Sequence, residues 1–166
     1  MSRVVQSPMD ELDRQVQTLE ADPGHPHDRF VIETLREAVR SGMEGNFGVG
    51  AVLVDATGTI VERGRNRVFF PHFRSDLHAE MDLMSRVEEN LKGSLEPSEL
   101  TLFSSLEPCP MCLLRLIISG VGRVFYAALD GPGGMASRLD AFPPEWRQMA
   151  EGREFGPADC SPRLQD

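Results

Sequence analysis

The chain has 166 residues, with 17 Lys+Arg against 26 Asp+Glu for a formal net charge of −9. Hydrophobic residues make up 40% and charged residues 26%, which describes a globular domain and excludes a disordered chain or a collagen. No run of 18 apolar residues spans a membrane, and the acidic balance argues against a broad phosphate-binding surface.

In chain order, Met9, Leu12, Val16 and Leu19 recur at intervals of three and four, predicting an amphipathic helix over about 9–20 that stops at Asp22-Pro23-Gly24. Asp28 is placed to N-cap a second helix ending near Gly42. The apolar run 49–54 predicts a buried strand, and Asp55-Ala56-Thr57-Gly58 turns it into a second strand over 59–65. An irregular stretch from Asn66 to Asp76 carries Phe69, Phe70 and Phe73. A third helix is expected from about His78 to Leu91, and a strand over 100–104. Pro110 suits the first position of a helix that runs to Ser119-Gly120, with Cys109 as its N-cap. Residues 123–128 read as a strand, and Pro143-Pro144 opens a short helix carrying Trp146. The order predicts one α/β domain over 1–166, a three-layer α/β/α sandwich with a mixed sheet of about five strands, the later ones parallel.

Two segments carry chemistry, His78-Ala79-Glu80 and Pro108-Cys109-Pro110-Met111-Cys112. Cysteines at i and i+3 at a helix start face one side and can share an ion. One His and two Cys leave the fourth tetrahedral position open, the catalytic pattern for zinc (Zn2+), and zinc lowers the pKa of its water to about 7. Glu80, two residues after His78, reaches the same side only from a helix cap, where a carboxylate off the metal is suited to carry protons. The pair of segments matches the H-x-E…P-C-x-x-C signature of zinc deaminases. The pair Cys109/Cys112 also admits a structural zinc site with Cys160 as fourth ligand, or a redox pair, but neither explains Glu80. With an odd number of cysteines and no Asn-x-Ser/Thr site, a cytoplasmic location is expected. The stretch Met1–Asp10 has no apolar core of a secretory signal.

On these motifs, with Val49-Gly50-Ala51-Val52-Leu53-Val54, Gly64-Arg65-Asn66, Leu106-Glu107 and Arg123-Val124-Phe125-Tyr126-Ala127-Ala128, residues 28–130 resemble the cytidine deaminase-like superfamily. The branch resembled contains tRNA adenosine deaminases, guanine deaminases and fungal-type cytosine deaminases. The resemblance implies that His78, Cys109 and Cys112 bind zinc and that Glu80 shuttles protons. It implies that Asn66 and the backbone N–H of Ala79 bind the heterocycle, and that the chain forms a homodimer whose subunits complete each other's pocket. The implied reaction is hydrolytic deamination of a small amino-heterocycle, with wobble-adenosine deamination in tRNA as the alternative. Phe47-Gly48 stands where relatives often carry Pro, and beyond Asp130 the basic C-terminal helix of tRNA-editing relatives is missing. Arg63, Arg65, Arg67 and Arg74 form a local basic cluster, readable as the solvent face of a strand or as a contact for a single phosphate. Phe69, Phe70 and Phe73 are read as a core contact, a dimer contact or a base-stacking lid.

Overall fold

The computed structural model describes residues 8–90 and 93–165. Met1–Ser7 and Leu91 fall outside them, and with them most of the N-terminal stretch and the expected last residue of the third helix. Five strands form one sheet in the order β2-β1-β3-β4-β5, where β1 is Gly50–Val54, β2 Ile60–Arg65, β3 Thr101–Leu106, β4 Arg123–Ala128 and β5 Glu154–Pro157. Strand β1 runs antiparallel to β2 and β3, while β3, β4 and β5 are mutually parallel, so the sheet is mixed as expected.

Alternation along the strands divides the core. Val52, Val54, Phe103, Phe125 and Ala127 pack with α2 (Asp28–Met43) and with Ala158, Cys160 and Leu164 of the C-terminal segment. Ala51, Leu53, Leu102 and Val124 point the other way, onto α3 (Ala79–Asn90) and α4 (Pro110–Ile118). Leu53, Leu83, Leu102 and Leu116 are wholly buried, each contributing about 1.5–3 kcal/mol of transfer free energy. The three-layer α/β/α arrangement follows directly from this two-faced sheet.

Local chemistry moves some boundaries. Helix α1 is Pro8–Gln17, shorter than the periodicity predicts, because the N–H and hydroxyl of Thr18 both turn back to the Gln15 carbonyl. Asp28 does not N-cap α2; His27 holds that position, without a side-chain cap bond. The buried Asp28 carboxylate instead accepts hydrogen bonds from Asp22 N–H at 3.0 Å, Ser161 N–H at 2.7 Å and the Ser161 hydroxyl at 2.8 Å. It thereby ties the C-terminal segment to the start of α2. Residues past Asp130 supply α5 (Pro144–Ala150) and the edge strand β5, and Trp146, Phe142 and Ala150 pack on Leu113 and Ile117 of α4.

Candidate active site

The site forms at the C-terminal edge of β3 and β4, the end at which open α/β sheets bind ligands. It is built by two helix starts. His78 immediately precedes α3, and its carbonyl accepts the Asp82 N–H at 2.8 Å. Gly64 of β2 lets this start come close, since a Cβ there would stand 2.5 Å from the Ala79 carbonyl oxygen. Cys109 is the N-cap of α4, extended at φ −70°, ψ 169°, with its sulfur making no cap bond. Cys112 lies one turn on, fully buried. Two helix N-termini therefore add positive potential where thiolates are needed.

The donor atoms of His78, Cys109 and Cys112 lie within 4.8 Å of one another, the only His/Cys/Asp/Glu group so disposed among the described residues. His78 Nδ1 is 3.6 Å from both sulfurs. A tetrahedral zinc with bonds of about 2.3 Å to sulfur and about 2.0–2.1 Å to nitrogen requires an N···S edge of about 3.5–3.6 Å. The residues fit the ion, and three protein donors leave its fourth position open. The two thiols share charge unequally. The Cys112 S–H donates to Cys109, which with His78 nearby pulls the Cys109 thiol down to about 4 and pushes Cys112 up. The Cys109 contact in turn raises His78 against the opposing effect of burial. A bound dication deprotonates such thiols outright.

Cys160 is not a fourth ligand. It packs among Phe103, Ala158 and Leu164 on the α2 face of the sheet, opposite α3 and α4. All three cysteines are free of disulfides.

Glu80 is buried, and its Oε1 accepts a hydrogen bond from the Ser104 hydroxyl at 3.1 Å. Burial raises its pKa, with hydrogen bonds from its own backbone, Cys112 and Ser104 opposing. A carboxylate so placed, off the metal donors, is suited to carry a proton. Asn66 is also buried. Its Oδ1 accepts the Val68 N–H at 3.0 Å, and the residue lines the pocket. Ala79 is the first residue of α3; its methyl is buried in the core, and its N–H has no partner within the helix.

His78, Glu80, Asn66 and Cys109 line one pocket of about 210 Å³. Phe47, Val49, Leu106, Glu107 and Asp130 complete it, and sequence reasoning assigned none of these five to a site. Cavities of about 410 and 450 Å³ lie elsewhere, the first beside α3 and the 93–100 segment, the second around His27, and neither contains the metal-ligating group.

Each arginine of the basic cluster meets a carboxylate. Arg63 pairs with Glu33 at 3.0 Å, Arg65 with Glu44 at 2.7 Å and Glu37 at 3.2 Å, and Arg74 with Asp76 at 2.7 Å. Arg67 faces Asp82 at 3.8 Å. These carboxylates occupy the guanidinium groups that a phosphate would need. The aromatic loop is not a core contact either, since Phe69, Phe70 and Phe73 are 49%, 56% and 71% exposed.

Residues 25–128, well over half of the chain, match the family described as "Cytidine and deoxycytidylate deaminase zinc-binding region". The chain belongs to this family. Among curated relatives of this deaminase family member, the tRNA-specific adenosine deaminase of Bacillus subtilis (strain 168) is 34% identical over 110 residues, 66% of either chain. Guanine deaminase from the same strain is 34% identical over 106 residues, 64% of this chain and 65% of its own. The chain thus spans just under two-thirds of the length of both. A solved tRNA:A34 deaminase structure superposes with a TM-score of 0.62 at 29% identity, covering 70% of this chain and 89% of that one. No helix among the described residues is long and apolar enough to cross a membrane.

Proposed function

We propose that the protein is a zinc-dependent hydrolytic deaminase of a free amino-heterocycle, a base, nucleoside or related metabolite, releasing ammonia. His78, Cys109 and Cys112 hold the ion, which when bound lowers the pKa of a coordinated water to about 7. Glu80 is placed to carry one proton of the attacking water to the ring nitrogen and the second to the leaving amine. The carbon–nitrogen bond to the exocyclic amine breaks and the ring gains the water's oxygen as a carbonyl; one water proton stays on the ring nitrogen, and the amine leaves as ammonia with its own two hydrogens and the other water proton. Asn66 Nδ2 and the Ala79 N–H donate to ring acceptors, and the Asp130 carboxylate accepts from a ring N–H or amino group.

The observation that carries the choice of a small substrate is the charge around the pocket. Every arginine of the 63–74 cluster faces a carboxylate, and Asp130 and Glu107 line the pocket itself. A polynucleotide would meet acid where it needs base. The pocket's 210 Å³ also falls below the roughly 300–1,000 Å³ typical of drug-sized ligands, in keeping with one ring system. Ammonia release across a panel of bases, nucleosides, nucleotides and aminated metabolites tests the reading.

One observation favours tRNA instead. Phe47, which lines the pocket, continues outward into Phe69 at a ring separation of 5.0 Å, and Phe69 into Phe73 at 6.3 Å. Exposed aromatic rings beside a base pocket are surfaces on which unstacked bases lie. Micromolar binding of an anticodon stem-loop at physiological salt, with deamination of its first base, would select this reading over the free heterocycle.

A further inference from the structure

Glu107 follows β3 and precedes the zinc motif's Pro108-Cys109, and its carboxylate is buried at 3% exposure. A buried carboxylate normally has a cation beside it, yet among the described residues Glu107 has no ion pair. Both oxygens are used on one loop. Oε1 accepts the Ser137 N–H at 2.7 Å, and Oε2 accepts the Asp130 N–H at 3.2 Å. The Met135 N–H reaches the Pro108 carbonyl at 2.9 Å, and the Glu107 N–H reaches the Ala128 carbonyl at 2.8 Å. Gly134 lies directly against the carboxylate, where an added Cβ would stand 2.1 Å from Oε2, so only glycine fits. The clamped loop begins at Asp130, which shares the pocket with Glu80 and His78. Asp130 is itself oriented, its Oδ1 accepting the Gly133 N–H at 3.1 Å and its carbonyl accepting the Gly134 N–H at 2.8 Å.

We propose that Glu107 is a positioning residue: through its clamp on residues 130–137 it holds the Asp130 carboxylate against the pocket, and so selects rings whose edge presents N–H donors. This rests on the reading of the pocket as the ring site. The chemistry explains why the residue is Glu. Gln keeps one acceptor oxygen but turns an NH2 group toward a backbone N–H, leaving that donor unpaired in a buried place. Asp is one methylene too short to reach both amides. The class of ring favoured is an amino-oxo purine or another heterocycle with adjacent N–H groups, over rings that offer acceptors alone.

The test compares Glu107→Gln, Gly134→Ala and Asp130→Asn in zinc-loaded protein. It measures zinc content, dissociation constants for guanine, adenine and cytosine, kcat and KM where ammonia is released, and hydrogen exchange of residues 130–137. Glu107→Gln and Gly134→Ala, which break the clamp from its two sides, are expected to weaken binding of the donor-bearing ring by about tenfold or more, to act on KM more than on kcat, and to retain zinc. Both should speed exchange of the Asp130 and Ser137 amides. Asp130→Asn, which keeps an acceptor for Gly133, should weaken the same ring without faster exchange at Ser137. Gly134→Ala leaves Glu107 in place and serves if Glu107→Gln folds poorly. Faster exchange with undiminished selectivity among rings overturns the proposal, as does loss of zinc with ring affinity intact. A wild-type protein that binds rings but deaminates none overturns the deaminase reading, while affinity and exchange still decide the role of Glu107.

Discussion

The Glu80 carboxylate accepts a hydrogen bond from the Ser104 hydroxyl at 3.1 Å, a contact between the first turn of α3 and the interior of β3. It fixes an ionisable group that lies beside the metal donors without being one of them. Two residues from His78, Glu80 reaches this position only because both sit at a helix start.

Replacing Glu80 with Gln preserves shape and the Ser104 contact but removes the proton carrier. Turnover is expected to fall by about 10²–10⁴, with zinc stoichiometry and melting temperature close to wild type. Metal analysis alongside steady-state ammonia release checks this.

Metal retention separates Cys112 and His78 from Cys160. Cys112→Ser and His78→Ala are expected to lose zinc, while Cys160→Ala retains a full equivalent, since Cys160 sits on the other face of the sheet. Zinc loss in Cys160→Ala would restore the closed structural site.

Arg65 carries structure and not substrate. Its guanidinium lies between Glu44 and the buried Glu37, and these carboxylates hold it charged well above the usual arginine range. Arg65→Met leaves the buried Glu37 with Arg40, at 2.7 Å, as its remaining partner and is expected to cost about 1–3 kcal/mol in chemical denaturation, partly recovered by adding Glu37→Gln. On the same geometry, a 5′-phosphate on the substrate should bring no fall in KM relative to the nucleoside.

Asp28 sets an acid limit on stability. Burial raises its pKa, but the donors from Ser161 and Asp22 outweigh this and hold the folded-state value below that of a free aspartate. A depressed carboxylate contributes stability above its unfolded pKa of about 3.9 and loses it as pH falls through the lower folded value. Asp28→Asn should therefore cost about 2 kcal/mol at pH 7, and the gap to wild type should narrow as pH drops below about 4. Urea denaturation at pH 7 and pH 3 measures it.

The parts legible in the sequence are those whose cause is local. His78, Glu80, Cys109 and Cys112 show their geometry through spacing at two helix starts, and β1 and β4 through unbroken apolar runs. Glu107 and Asp130 were not legible as site residues, because the bonds joining them span 23 residues and depend on where the chain returns after β4. Strand β5 carries Gly156 and Pro157 and is made by pairing with β4, so no alternation marks it. The partners of Arg63 and Arg65 are hidden for the same reason: Glu33, Glu37 and Glu44 come from α2 and its end, distant in sequence. The role of Asp28 depends likewise on Ser161, 133 residues away.

The most direct test is ammonia release by zinc-loaded wild-type protein across bases, nucleosides, nucleotides and an anticodon stem-loop, with Glu80→Gln run in parallel. The account predicts release from a free amino-heterocycle, abolished in Glu80→Gln at undiminished zinc content. Equal turnover by wild type and Glu80→Gln, or release from the stem-loop alone, would contradict it.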